Sequence, residues 1–81
     1  MKRVLFFGRL REAAGAAEIV CDKDVSDVAA LRDWLAARDP LLGQALRDGG
    51  VRVAVDRTFA DDDAKLGANS EIAFMPPLSG G

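Results

Sequence analysis

Histidine is absent from this chain and cysteine occurs once, at position 21. Without histidine there is no imidazole base, no usual zinc ligand, and no Ser–His or Cys–His nucleophile pair. A single thiol excludes an internal disulfide and any metal site built from cysteines and histidines. Long apolar runs are missing too. Val4 to Phe7 is too short for the core of a signal peptide or for a membrane span. Positive charge is not in excess: 11 Lys and Arg against 13 Asp and Glu leave a net −2. A nucleic-acid backbone demands concentrated basic charge, so that partner class is not expected. These absences describe a cytoplasmic protein that binds no nucleic acid, membrane or metal and has no conventional side-chain active site.

What is present is a hydrophobic fraction of 49% in 81 residues, too apolar for a disordered acidic segment and enough for one domain. A chain this size buries only roughly 60–65% of its unfolded surface, so its stability margin is thin. Lys2 to Arg9 (KRVLFFGR) is rich in strand formers and stops at Gly8. The period of two puts Val4 and Phe6 on one face, Leu5 and Phe7 on the other. Leu10 to Ala14 suits a short helical turn ended by Gly15, and Ala17 to Cys21 a second strand. From Ser26 to Asp39 the period changes: Val28, Leu31 and Leu35 fall at helical spacing. Ser26 is the expected N-cap, Asp27 suits the positive helix end, and Pro40 closes the element. Leu42, Ala45 and Leu46 form a second, shorter helical face before Gly49–Gly50.

Val51 to Asp56 alternates cleanly, with Val51, Val53 and Val55 expected inward and Arg52 and Asp56 outward. Thr58–Phe59 follows a turn at Asp56–Arg57. Asp61 to Asp63 is an acidic loop, Lys65–Leu66 a stub of strand, Gly67 to Ser70 a turn, and Glu71 to Met75 the last strand. Pro76–Pro77 ends it, because proline cannot donate to a ladder. This order predicts an α+β fold over residues 1–77: a ubiquitin-like β-grasp, with a mixed sheet packed on one main helix. Val28, Leu31 and Leu35 are expected to pack on Val53, Val55, Ile72 and Phe74. Leu78, Ser79, Gly80 and Gly81 form a flexible tail.

The final Gly80–Gly81 is either inert or a reaction handle. Two glycines at one end arise by chance in roughly 0.5% of chains. A terminal carboxylate that reacts in another protein's active site must thread into it, and glycine fits a narrow channel and turns freely there. Pro76–Pro77 stiffens the root of such an arm.

Two stretches carry a resemblance: VLFFGRLREAAG (Val4 to Gly15) and EIAFMPPLSGG (Glu71 to Gly81). With them the whole chain resembles the MoaD-type sulfur carriers, the small subunits of molybdopterin synthase. Where that family often has a second aromatic before the prolines, this chain has Met75, a flexible apolar filler. The resemblance implies that an adenylyltransferase similar to ubiquitin-activating enzymes uses ATP to adenylate the Gly81 carboxylate. A sulfur donor then displaces AMP and leaves a thiocarboxylate, 1-thioglycine, at Gly81. It implies a large synthase subunit as partner, in a heterotetramer of two large and two small subunits. There the sulfur passes to cyclic pyranopterin monophosphate, and two transfers build the molybdopterin dithiolene. No tightly bound cofactor is implied. Leu78, Ser79, Gly80 and the prolines thread the tail.

Other residues admit two readings each. Cys21 is a small buried hydrophobe or a persulfide carrier. Asp61 to Asp63 is a solvated loop or a cation site, though it lacks the ligand spacing of a calcium loop. Arg9 and Arg11 are surface charges or partner ion pairs. Phe7, Phe59 and Met75 are satellite core or an exposed patch that docks partners. Three function classes stay open: a sulfur-donating synthase subunit, another ubiquitin-like carrier (thiamine or cysteine pathway type) or modifier of lysines, and a plain β-grasp interaction module.

Overall fold

The computed structural model describes residues 1–77; the expected tail, Leu78 to Gly81, lies outside the described residues. The first apolar run forms β1 (Lys2–Phe6), which ends before the expected Arg9. Phe7 still donates its N–H to the Phe74 carbonyl at 3.1 Å, but Gly8 then takes φ +57° and turns the chain away. Leu10–Ala14 is the short helix α1, closed by Gly15 in the left-handed conformation. β2 (Glu18–Cys21) returns antiparallel to β1, with Lys2 opposite Cys21 and Leu5 opposite Glu18. It starts one residue later than expected, although the Ala17 carbonyl still accepts from Phe6 N–H at 2.9 Å.

Helix α2 spans Val28–Arg38 and its N-cap is Asp27, not the expected Ser26. Asp27 Oδ1 accepts from Ala30 N–H at 2.8 Å, whereas the Ser26 carbonyl accepts from Leu66 N–H. An ionised carboxylate also complements the positive helix end, which a hydroxyl does not. Pro40 closes α2 and opens α3 (Pro40–Leu46), where Asp39 Oδ1 accepts from Leu42 N–H at 3.2 Å.

β3 is Arg52–Val55, shorter than the expected Val51–Asp56. Val51 is outside the strand and half-buried, its N–H given to the Asp48 carbonyl at 2.9 Å, so the preceding turn holds it. Val53 is buried and Val55 half-buried. β4 (Thr58–Ala60) follows a two-residue turn in which Asp56 and Arg57 have φ +49° and +71°, the signs a type I′ hairpin turn requires. The expected strand stub at Lys65–Leu66 is instead one isolated bridge, Asp27 to Lys65. The reason lies in α2. The carbonyls of Asp62 and Ala64 accept from the N–H groups of Ala29 and Val28, orphan donors of the first helical turn. β5 (Glu71–Met75) ends at the prolines as expected.

The five strands lie in the order β2-β1-β5-β3-β4, with β1 and β5 parallel at the centre and the other pairings antiparallel. All three helices contribute to one core on a single sheet face: Leu10 from α1, Val28, Leu31 and Leu35 from α2, Leu42 and Leu46 from α3. They meet Val4, Phe6, Cys21, Val53, Ile72 and Phe74, with Val55 at the margin. The Phe6 and Phe74 rings stack at 6.0 Å between centroids. This mixed sheet wrapped on a main helix is the β-grasp arrangement.

Candidate functional site

The register fixes what the opposite face presents. Arg3 pairs with Glu71 and Leu5 with Ala73 across β1–β5; Ala54 pairs with Ala73 and Arg52 with Met75 across β3–β5; Ala54 faces Phe59 across β3–β4. All these side chains share the face away from the helices. Six apolar ones, Leu5, Phe7, Ala54, Phe59, Ala73 and Met75, line a hollow of about 410 Å³. Phe59 is 58% exposed and Phe7 40%. The structure thus brings together Phe7, Phe59 and Met75, from the end of β1, from β4 and from the end of β5.

The rim is charged. The Arg52 guanidinium lies 4.0 Å from the Phe59 ring centroid, a cation–π distance. Arg57 and Glu71 complete the lining and approach each other to 4.0 Å. Farther along the same face Arg3 bridges Glu18 at 2.9 Å and Glu71 at 3.3 Å. The hydrogen bond from Arg3 holds the Glu18 carboxyl below its usual range, and the same bond raises the Arg3 guanidinium.

Arg9 and Arg11 are not part of the lining. Arg11 Nε donates to the Phe6 carbonyl at 3.1 Å, and its guanidinium stands 5.8 Å from the Phe7 ring centroid. It therefore braces the end of β1 and one wall of the hollow. Arg9 is exposed and pairs with Asp48 at 3.6 Å. Each has a partner within the chain. Cys21 is buried, its Sγ 3.8 Å from the Lys23 carbonyl, as the apolar reading of that thiol requires. Asp62 of the acidic loop pairs with Arg32 Nε at 2.9 Å, and Arg32 also donates to the Leu46 carbonyl at 2.6 Å. That part of the loop is a structural clamp. Among the described residues no group of three or more Cys, Asp or Glu is placed to hold a metal ion, and no helix is long and apolar enough to cross a membrane.

Pro76 and Pro77 are half-buried at the root of the tail, Pro76 beside Gly8 and Pro77 beside Gly50. The four residues beyond them that were expected to thread a partner, Leu78, Ser79, Gly80 and Gly81, lie outside the described residues.

Sequence reasoning left five lining residues without a role: Leu5, Ala54, Ala73, Glu71 and Arg57. The first three were accessible through parity, since Leu5 alternates in step with Phe7 and Ala73 with Met75. The turn at Asp56–Arg57 was expected, but its positive φ, which places Arg57 at the hollow, is a conformation that arginine seldom adopts. Among the described residues the hollow offers one carboxylate, already engaged by Arg3 and Arg57, and no nucleophile. Its lining is mostly apolar side chains, with Arg57 and Glu71 at the edge.

The ThiS family model matches residues 4–81. Two relatives are similar over the whole of both chains. The molybdopterin synthase sulfur carrier subunit of Escherichia coli (strain K12) is 38% identical, and that of Haemophilus influenzae (strain Rd) 35%. The crystal structure of SAMP1 from Haloferax volcanii superposes with a TM-score of 0.84 at 26% identity, covering 99% of this chain and 98% of that one. With its β-grasp topology and a match from Val4 to the last residue, this chain belongs to the ThiS family, among the relatives of the molybdopterin synthase sulfur carrier subunits.

Proposed function

We propose that the chain is the sulfur-donating subunit of a molybdopterin synthase, with the main-chain carboxylate of Gly81 as its reacting group. One observation carries this reading: two proteins of that name match it from end to end at 38% and 35% identity. The absence of histidine and the burial of the single thiol support it, because a carrier so equipped must use something other than a side chain.

A carboxylate is a poor acyl donor, since it is anionic and would have to expel oxide. A partner adenylyltransferase joins it to the α-phosphate of ATP and releases pyrophosphate. Hydrosulfide then attacks the acyl carbon, the C–O bond to AMP breaks, and a thiocarboxylate and AMP result, with one proton released. No oxidant or reductant is needed when the donor is hydrosulfide. The thiocarboxylate is a soft nucleophile on a narrow arm. The apolar hollow of Phe7, Phe59 and Met75 docks the large subunit, and the arm delivers sulfur to a pyranopterin bound there: the thiocarboxylate sulfur bonds to a pterin side-chain carbon as a C–O bond at that carbon breaks, and water then cleaves the acyl–sulfur bond and restores the Gly81 carboxylate; two deliveries make the dithiolene. Two small subunits serve two large ones.

A second reading, conjugation to lysines, is favoured by the likeness to SAMP1, a small archaeal modifier protein of Haloferax volcanii. Both readings use an activated Gly81, so the test follows the sulfur. Intact mass of the protein after incubation with its adenylyltransferase, ATP and hydrosulfide should show replacement of one oxygen by sulfur. Deleting Gly81, or replacing it with valine, should abolish that shift and pterin conversion while leaving thermal stability unchanged. Full pterin conversion by the Gly81 deletion would refute the mechanism. Lysine conjugates without pterin conversion would favour the modifier.

A further inference from the structure

Gly8 and Gly50 stand on two separate turns, one after β1 and one before β3, and each abuts one of the two prolines. A Cβ on Gly8 would lie 2.8 Å from Pro76 Cγ. A Cβ on Gly50 would fall on Pro77 Cβ and lie 3.0 Å from Pro77 Cγ. The two glycines differ in a telling way. Gly8 has φ +57°, so its turn alone favours glycine. Gly50 is not in the left-handed region, so its backbone would accept any residue; only the neighbouring proline excludes a side chain.

The turns are held firmly. Gly50 N–H donates to Asp48 Oδ1 at 3.1 Å, and Val51 N–H to the Asp48 carbonyl at 2.9 Å. The Gly8 carbonyl accepts from Arg11 N–H at 3.1 Å. Asp48 also meets Arg9 at 3.6 Å, and this exposed pair ties the two turns together. Neither proline can donate a backbone hydrogen bond, so no ladder N–H fixes the chain at residues 76 and 77. Steric fit takes that place.

We propose that Gly8 and Gly50 are positioning residues: they form a notch of bare backbone that seats Pro76 and Pro77 and sets the direction in which the chain leaves the domain toward its reacting end. The inference rests on the sulfur-carrier reading above and adds to it a specific seat for the arm. Since Gly50 is held by Asp48, a side chain there displaces Pro77 and leaves the turn in place.

The test is a cycle of Gly50→Ala, Pro77→Gly and the double variant. Thiocarboxylate formation with the adenylyltransferase, ATP and hydrosulfide is followed by mass, with kcat and KM separated, alongside the melting temperature. Misplacing a reacting group by about 1 Å costs up to about a hundredfold, so Gly50→Ala should lower kcat about tenfold while KM stays within about threefold. Pro77→Gly removes the two side-chain atoms that the new Cβ would meet and leaves Pro77 Cα at 3.6 Å, an ordinary contact. In that background, adding Gly50→Ala should change kcat by less than about twofold, the non-additivity expected of residues in contact. A purely structural role for Gly50 would lower the melting temperature equally with or without Pro77 and show no such coupling in kcat. Should Gly50→Ala fail to fold, the double variant is compared with Pro77→Gly alone: equal kcat supports the notch and a further loss overturns it. Wild-type kcat in Gly50→Ala also overturns it. No sulfur uptake by the wild-type protein would sink the carrier reading and the notch with it, whereas uptake without coupling would sink the notch alone.

Discussion

Arg3 sits between two carboxylates, and the consequences differ for its partners. Its guanidinium is within 2.9 Å of Glu18 and 3.3 Å of Glu71, on the outer face where β2, β1 and β5 lie side by side. The hydrogen bond lowers the Glu18 carboxyl in the folded chain relative to the unfolded one. A depressed carboxyl stabilises the fold at pH above its unfolded value, near 4.3, and that contribution is lost as pH falls through the lower folded value. Both side chains are solvated, so the effect is small. Thermal melts of the wild type and Glu18→Gln should converge as pH drops below about 4 and separate slightly above about 5. Added salt should narrow the gap. A gap that widens at low pH would contradict the assignment.

At the scale of elements, α2 is the piece on which the sheet depends. Val28, Leu31 and Leu35 are all fully buried, and they recur at the helical spacing that distinguishes this segment from its strand neighbours. Its first turn is served from outside, by Asp27 and by the carbonyls of the loop after β4. Leu31→Ala should cost about 2–5 kcal/mol in denaturant unfolding, the range for a buried leucine whose site cannot collapse. A loss below about 0.5 kcal/mol would place Leu31 at a surface. Asp27→Ala removes the cap and should cost about 1 kcal/mol, whereas Ser26→Ala should cost almost nothing. Equal losses from the two would restore Ser26 as the cap.

For the molecule as a whole, the three helices on one sheet face leave the other to the solvent. Its apolar hollow is paired with a charged rim of Arg52, Arg57 and Glu71. Among the described residues nothing covers this hollow, and it is the docking surface proposed above. Phe59→Asp should shift stability by no more than about 1 kcal/mol, since the side chain is mostly exposed on an edge strand. It should weaken binding to the proposed large-subunit partner at least tenfold, measured by titration calorimetry. Unfolding by this change would make Phe59 core and abolish the docking surface.

Some features were settled by neighbours along the chain. The parity of Val4 and Phe6 against Leu5 and Phe7, the switch to helical spacing after Ser26, and the stop at Pro76–Pro77 depend on local sterics and short-range spacing, so the element order and the two sheet faces were legible without coordinates. The terminal Gly80–Gly81 was likewise visible as composition. Other features needed residues far apart to meet. Asp27 caps α2 in place of Ser26 because Leu66 engages the Ser26 carbonyl. Lys65–Leu66 is not a strand because the loop around it serves a helix. Arg11 is committed to the Phe6 carbonyl, and Arg9 to Asp48. A side chain at Gly50 would meet Pro77, 27 positions later. Each of these is a competition for one hydrogen-bonding group or one small volume, and which competitor wins is decided only when the packed chain places them together.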